Sequence, residues 1–370
     1  MLAAAVARRG LGNNMTIEAD RARPTTHTPW RLCVAPMMDW TDRHCRSLHR
    51  LLSPHARLYS EMVSTGALLH GNRARQLDYD PSEHPLALQL GGSDPEELAQ
   101  CARLGQAWGY DEINLNCGCP SQRVQHGSFG ACLMAEPRVV ADCVRAMREA
   151  VSIPVTIKHR IGIERSEDYA FVRDFVGYSF DAGCRVFLVH ARNAWLQGLS
   201  PKRNREVPPL RYEFVHRLKR DFPDATVVLN GGLATFAQIT NALEQLDGVM
   251  LGRIAYQQPY FLARVETGLF GGALPLQGPA AWVEPASRYL ERAVARGATP
   301  WSVIRHSLGL FHGCPGARAW RRQLSDPQFL AKHGTDALRA AAQNLTACEA
   351  PARPRLRPQE WAPSLVRDAV

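Results

Sequence analysis

Hydrophobic and polar positions along this chain fall into two regimes. From about residue 31 to residue 268, short apolar runs alternate with longer stretches whose apolar positions recur every three to four residues. The short runs predict strands at Arg31–Ala35, Arg57–Ser60, Leu86–Leu90, Asp111–Leu115, Pro154–Lys158, Arg185–His190, Thr226–Asn230 and Gly248–Leu251. Helix starts lie between several of them. Ser93-Asp94-Pro95-Glu96-Glu97 combines an N-cap, a first-turn proline and early acids, Glu136-Pro137 opens another helix, and Thr235 caps a segment reaching Leu246. Eight β/α units in about 240 residues match the size and rhythm of an α/β protein of the (β/α)8 TIM barrel class. Alternation alone leaves a doubly wound sheet open.

The second regime begins after residue 268. Gly271-Gly272 and Pro275–Pro279 read as a linker, and only helical signals follow, from Trp282 to about Ala347. Two long amphipathic helices are expected, Val283–Arg296 and Pro300–Phe311, the second capped by Thr299 with proline at its first position. More helix follows Cys314-Pro315-Gly316. The expected organisation is a flexible tail over 1–29, a catalytic barrel over 30–270, a smaller C-terminal helical domain over 280–347 and an extended Pro- and Arg-rich tail over 348–370. The apolar run in Met1–Arg9 is too short for a secretory signal, so an unstructured tail, or translation from Met15, is expected.

Candidate chemistry concentrates at the strand ends. In Asn114-Leu115-Asn116-Cys117-Gly118-Cys119-Pro120-Ser121 a strand runs into a tight Gly-Pro turn carrying a thiol. That is where barrels place their active sites, and a proton donor or nucleophile needs such a fixed position. Around the same mouth the other strands end in Pro36-Met37-Met38-Asp39, Glu61, Gln89, Lys158 with Arg160, His190 with Arg192, Asn230-Gly231-Gly232 and Gly252-Arg253. Polar groups converging on one mouth must satisfy each other or a ligand. The glycines after the last two strands offer bare backbone N–H groups, and Arg253 adds a phosphate-pairing guanidinium, which favours a phosphate site. Lys158 is either a snorkelling cap or a cation facing the mouth. Beside a flavin it would stabilise the negative charge of the reduced ring, while Gln89 would suit the ring's polar edge. His190 fits phosphate, ring, substrate or a hydrogen-bonded structural role.

Composition narrows the setting. The chain has 370 residues, 45% of them hydrophobic and 21% charged, and no run of about eighteen apolar residues suggests a membrane span. Its ten cysteines are scattered, with no disulfide framework and no zinc spacing, so a reducing cytoplasm and no metal are expected. The net charge of +9 suggests a polyanionic partner. One basic region contains Lys202, Arg203, Arg205, Arg211 and Arg217. Another contains Arg305, Arg318, Arg321 and Arg322, interleaved with Trp301 and Trp320 and with no acid between Trp301 and Ser325. Clustered arginines and aromatics suit phosphates and unstacked bases. The competing reading is a solvated helix face with core tryptophans.

With those residues in hand, the chain resembles the tRNA-dihydrouridine synthases, A-type subfamily, over roughly Trp30 to Ser325. The resemblance rests on Ala35-Pro36-Met37-Met38-Asp39, the Asn114–Ser121 run, Ile157-Lys158-His159-Arg160-Ile161-Gly162, Val189-His190-Ala191-Arg192, Asn230-Gly231-Gly232 and Gly252-Arg253. Gly198–Glu206 and Gly316–Arg322 point to the A-type subfamily in particular. The resemblance implies an FMN-bearing barrel, NADPH as electron donor, and reduction of uridine to dihydrouridine in the tRNA D-loop, at positions 20 and 20a. Hydride would pass from reduced FMN to C6 of the uracil and a proton from Cys119 to C5. By the same matching, Pro36, Met37, Met38, Gln89, Lys158, His190, Asn230, Gly231, Gly232, Gly252 and Arg253 would hold FMN. Asn116 and Arg160 would meet the uracil, and Arg192, Lys202, Asn204, Arg205, Arg305, Arg318, Arg321 and Arg322 the tRNA. A monomer is expected. The chain departs from the family at Cys117, often Val, and at Asn193, often Lys. Two other readings stay open: an FMN barrel oxidoreductase acting on a small pyrimidine, and a non-catalytic tRNA-binding barrel.

Overall fold

Every predicted strand is present in the computed structural model, which describes residues 28–164, 168–271, 276–343 and 345. Most of the predicted N-terminal tail, the C-terminal tail and part of the linker lie outside the described residues. The strands are β1 (Leu32–Val34), β2 (Leu58–Tyr59), β3 (Val63–Ser64), β4 (Leu86–Gly91), β5 (Glu112–Cys117), β6 (Val155–Arg160), β7 (Val186–His190), β8 (Thr226–Asn230) and β9 (Gly248–Leu251). All pair in parallel, in the order β1-β9-β8-β7-β6-β5-β4-β2, with β3 also on β4. The sheet closes because Val34 N donates to Arg57 O (3.0 Å) and Arg57 N donates to Leu32 O (2.9 Å). Closure excludes the doubly wound alternative, in which both sheet edges stay open. The two residues of β3 are too short a run to show a pattern, and they were not expected as a strand.

Alternation along each strand sorts side chains into two separate cores. Outward residues such as Leu88, Leu115, Ile157 and Phe187 pack with the surrounding helices. Inward residues Cys33, Ala35, Tyr59, Ala87, Val186, Leu188, Val228 and Met250 form a second, smaller cluster inside the barrel. The remaining interior, on β4 to β6, is polar: Gln89, Glu112, Asn114, Asn116 and Thr156 are all buried. Cys117 has the outward parity and is fully buried in the outer core, away from Cys119.

Helix caps follow the sequence signals. Asp94 accepts from Glu97 N, and Thr235 forms a capping box with Gln238, although that helix ends at Leu243 rather than Leu246. In the C-terminal region, Val283–Ala295 forms as expected, but the helix from Pro300 stops at Ile304 and continues as a 3-10 turn. The break has a tertiary cause. A Cβ on Gly309 would sit 2.2 Å from Gln257 O, so this backbone lies against the barrel's last β/α segment and cannot carry a helical side-chain surface. Trp320 is fully buried against Phe311 and donates to Ser307 O (3.0 Å), which makes it a core residue, whereas Trp301 remains exposed. Among the described residues eight cysteines are free thiols and Cys314 is disulfide-bonded, a bond that the scattered spacing did not suggest.

The helical region is strapped to the barrel. Asp42 caps Arg43–Arg50 through His44 N and Cys45 N (both 3.0 Å), and the same carboxylate accepts from Arg305 Nη2 (2.5 Å) and pairs with His306 Nε2 (3.0 Å). Arg305 Nη1 also donates to Asp39 O (2.9 Å). Burial works against ionisation of Asp42, yet the His306, Cys45 N and Arg305 hydrogen bonds outweigh it and hold the carboxyl well below its usual range. Arg305 therefore straps the C-terminal helical region to the barrel, a structural duty beside the tRNA contact expected of it. Arg305→Met is expected to lower unfolding stability by about 2 kcal/mol, the usual loss for hydrogen bonds to a charged group; an unchanged urea midpoint would show that the strap contributes nothing.

Candidate active site

The strand ends meet in a single cavity of about 790 Å³ at the C-terminal mouth of the barrel, within the range of small-ligand sites. Pro36, Met37 and Met38 line it after β1, Gln89 on β4, and Asn116 and Cys119 at and after the end of β5. Lys158 and Arg160 come from β6, His190 from β7, Asn230, Gly231 and Gly232 from β8, and Gly252 and Arg253 follow β9. Inward parity explains the convergence, because His190 and Asn230 each sit two residues from an inward apolar neighbour, Leu188 and Val228, and Lys158 sits two residues from inward Thr156. Sequence reading missed Met62, Trp40, Gln257 and Gln258 on the same wall. Trp40 stacks on Tyr256 (4.4 Å between centroids), so the loop after β1 leans on the helix that follows β9. Nothing local in the sequence marked that contact.

Cations outnumber acids at the mouth, where Asp39 is the one acid among the lining residues. Lys158 Nζ donates to Asn230 Oδ1 (3.2 Å) and has no carboxylate partner among the described residues. Loss of water, then Arg160, pushes its pKa down to about 7. His190 is held well below its usual range by burial and by Arg160 and Lys158, so it is a neutral imidazole. Arg205 lines the cavity, and Arg253 Nη1 is tied to Glu206 Oε1 across the rim (2.5 Å). Such a site suits a ligand that carries or acquires negative charge.

Gly231 and Gly232 have φ of 114° and 70°, a region open to glycine. A Cβ on Gly231 would sit 2.8 Å from the His190 ring, and one on Gly232 2.5 Å from Leu210. Bare backbone can therefore approach a ligand here, as a phosphate cradle requires. The helix at Arg253–Gln257 has five residues, so its dipole contributes little beside those amides.

Several expected substrate contacts have structural duties instead. Asn116 Oδ1 accepts from Gly118 N and Cys119 N (both 3.0 Å) and its Nδ2 donates to Gln89 Oε1 (2.9 Å), so its carbonyl shapes the thiol loop and one amide N–H is left for a ligand. Arg160 donates to Gly118 O (2.9 Å), Asn193 O (2.8 Å) and Asn204 O (2.9 Å), bracing two loops. Asn204 is fully buried; its Oδ1 accepts from Trp195 N and its Nδ2 donates to Trp195 O (both 2.8 Å). This corrects its expected tRNA contact: no face of it reaches solvent. Arg192 donates to Pro208 O and Glu206 O and pins the same loop. Lys202 is exposed beside the mouth without lining it. Arg318, Arg321 and Arg322 occupy one exposed face of the helix Ala317–Leu324, opposite buried Ala317, Trp320 and Leu324, and none has a carboxylate partner among the described residues.

Fold and site together define a parallel α/β barrel with a cationic, glycine-edged cavity and a thiol on its wall. A family model described as dihydrouridine synthase (Dus) matches residues 33–346, and the chain belongs to that family. It is 59% identical over 295 residues to the tRNA-dihydrouridine(20/20a) synthase of Pseudomonas syringae pv. tomato, covering 80% of this chain and 88% of that one. The protein of the same name in Pseudomonas aeruginosa is 59% identical over 295 residues, 80% of this chain and 89% of that one. That of Vibrio parahaemolyticus is 54% identical over 312 residues, 84% and 95% respectively.

Asn204→Ala is expected to leave Trp195 N without its acceptor and to cost about 1–3 kcal/mol, the penalty for an unsatisfied buried group. Limited proteolysis checks this: faster cleavage within residues 195–205 is expected, and a wild-type digestion pattern contradicts the bracing role.

Proposed function

We propose that this chain reduces uridine to 5,6-dihydrouridine in the D-loop of tRNA, at positions 20 and 20a, as a cytoplasmic monomer with FMN in the mouth cavity and NADPH as electron donor. The observation that carries the reading is the meeting in one cavity of Cys119 and Lys158, which has no carboxylate partner among the described residues, in a chain of this family. The residues present fit FMN. Gly231, Gly232 and Arg253 suit its phosphate, Gln89 and Asn230 its polar edge, and Pro36 and Met37 flank the same space. Bound FMN, reduced by NADPH, would supply the hydride that adds to C6 of the uracil.

This chain's own groups supply the rest. Lys158 balances the negative charge that accumulates in the site, and its dry surroundings make that charge-balancing stronger than in water. The amide N–H of Asn116 that Gln89 does not take offers a hydrogen bond to a uracil carbonyl, drawing electron density away from C6. Cys119 Sγ–H then delivers the proton to C5, and the thiolate regains a proton from solvent. The sum is uridine, NADPH and a proton in, and dihydrouridine and NADP⁺ out. Extruding the base from the D-loop costs a few kcal/mol, in the range of about 2–4. The face formed by Arg318, Arg321 and Arg322 offsets it through phosphate contacts, which is also why tRNA is favoured over a small pyrimidine.

Cys119→Ala is expected to keep bound flavin and NADPH oxidation but to slow uridine reduction by about a hundredfold or more, the scale of general acid catalysis. Mapping dihydrouridine on unmodified tRNA checks it, and unchanged turnover removes Cys119 from the acid role. The double variant Arg321→Ala with Arg322→Ala is expected to weaken tRNA binding and to reduce the slope of log K against log salt by about 1.4, at about 0.7 per single-stranded contact. A wild-type slope in a salt titration would reject that surface.

A further inference from the structure

The polar groups inside the barrel form one continuous column. At the floor, Glu112 is fully buried at the start of β5. Its Oε2 accepts from Trp30 Nε1 (2.7 Å) and pairs with Arg57 Nη1 (3.1 Å), and its Oε1 accepts from Tyr59 OH (3.0 Å) and Thr156 Oγ1 (2.5 Å). Thr156 Oγ1 in turn accepts from Asn114 Nδ2 (2.8 Å), and Asn114 Oδ1 accepts from Gln89 Nε2 (2.7 Å). Gln89 Oε1 accepts from Asn116 Nδ2 (2.9 Å), and Asn116 Oδ1 accepts from the amides of Gly118 and Cys119. Thr156, Asn114 and Gln89 are each 1% exposed or less.

The column has a direction. A primary amide fits most sites almost equally well in either orientation, so three amides in series could adopt several arrangements. A carboxylate at one end removes that freedom. Only a donor can face Glu112, so the Thr156 hydroxyl hydrogen points down and its oxygen accepts from above. Asn114 must then present nitrogen to Thr156 and oxygen to Gln89, and the same constraint passes to Gln89 and to Asn116. Reversing any one link sets two donors or two acceptors against each other in a dry interior. The last acceptor in the series is the one that shapes the Cys119 turn.

We infer that Glu112, Thr156 and Asn114 are positioning residues that act from the barrel floor, through Gln89 and Asn116, to fix the orientation of both mouth amides and the place of the Cys119 thiol. The inference rests on the reading of Cys119 as proton donor and Gln89 as a cofactor contact. None of the three touches the cavity. They set which edge of Gln89 and of Asn116 is left to face a ligand.

Thr156→Val cuts the column at its second link with a side chain of nearly the same shape and leaves Glu112 its contacts to Arg57, Tyr59 and Trp30. Thr156→Ser restores the hydroxyl. Two readouts are taken, both at matched flavin content where flavin is present. In single turnovers of pre-reduced enzyme with unmodified tRNA, Thr156→Val is expected to form dihydrouridine about tenfold or more slowly, a usual loss for a slightly misplaced reacting group, with tRNA affinity and flavin reduction by NADPH within about twofold of wild type. In flavin-free protein, the iodoacetamide alkylation rate of Cys119, followed by peptide mass spectrometry across pH, is expected to change at least about threefold, since the thiol's reactivity follows its immediate surroundings. Thr156→Ser should recover both. Wild-type behaviour of Thr156→Val in either readout overturns the inference, as does failure of Thr156→Ser to recover. Should Thr156→Val not fold, Thr156→Ala carries the same comparison, because it lacks the hydroxyl and adds no volume. The alkylation arm also separates the two layers of argument. If Cys119→Ala keeps full turnover, the acid assignment fails, while the alkylation rates still decide whether the column holds the loop.

Discussion

The ion pair between Arg57 and Glu112 sits where the barrel closes, and the architecture above it depends on that junction. Arg57 joins β1 to the β2 edge through its own backbone, donating to Leu32 O and accepting from Val34 N. Its guanidinium lies over the Trp30 ring, 5.1 Å from the centroid, and reaches across the floor to Glu112. Burial pushes the Glu112 carboxyl above its ordinary range, and Arg57, Thr156, Trp30 and Tyr59 act against that shift. A buried pair of this kind adds little net stability compared with apolar residues of the same volume, because two charges must be stripped of water. Losing one partner is different, since it leaves the other charge alone in a dry barrel. The pair therefore makes closure and polar order interdependent: the strand ends stay joined only in the arrangement that also seats the carboxylate.

The two halves of the barrel interior solve different problems. Around β7, β8, β9 and β1, inward positions such as Val186, Leu188, Val228 and Met250 fill space. Across β4 to β6 the inward positions hold amides, a hydroxyl and a carboxylate that satisfy one another. The apolar half tolerates shape-conserving exchange, as hydrophobic cores do. The polar half does not, because each partner there has one acceptable orientation. Cys119 and Lys158 both stand at the top of the polar half, where position is best defined.

Much of this was legible in the sequence, for identifiable reasons. Thr226–Asn230 and Gly248–Leu251 are apolar runs bounded by turn residues, and both form strands with those bounds. The cavity-lining glycines, Lys158, His190 and Cys119 were legible because strand parity and a strand's C-terminal end locate a side chain without knowledge of its neighbours. Where the outcome depended on a distant partner, local pattern misled. Asn204 lies in a run of basic, polar residues, and only the fold shows it buried under Trp195. Arg305 looks like its neighbours Arg318, Arg321 and Arg322, yet Asp42, more than 250 residues earlier, claims it. The helix from Pro300 has a sound start, and its stop is imposed by the approach of Gly309 to Gln257. Trp301 and Trp320 differ only in helical phase, which decides that one is exposed and the other is core.

The same distinction between paired and unpaired charge orders the whole molecule. Half-buried Asp42 and the buried carboxylates Glu83, Glu112 and Glu266 each meet a cationic or neutral donor: Arg305, Arg46, Arg57 and Ser53 respectively. Among the described cations without a carboxylate partner, two groups stand out, at the barrel mouth and on the outer face of Ala317–Leu324. At the mouth, Lys158 and His190 are both displaced toward their neutral forms by dryness and by neighbouring cations, Arg160 first among them, a cost that an anionic occupant would relieve. On the helix face the arginines are hydrated, so their cost is small and their use waits for a polyanion. The Asp42–Arg305 strap ties the helical region to the loop after β1, whose Asp39 lines the mouth, so the segment that carries the outer arginines is anchored at the cavity's edge by a half-buried ion pair rather than by loop alone.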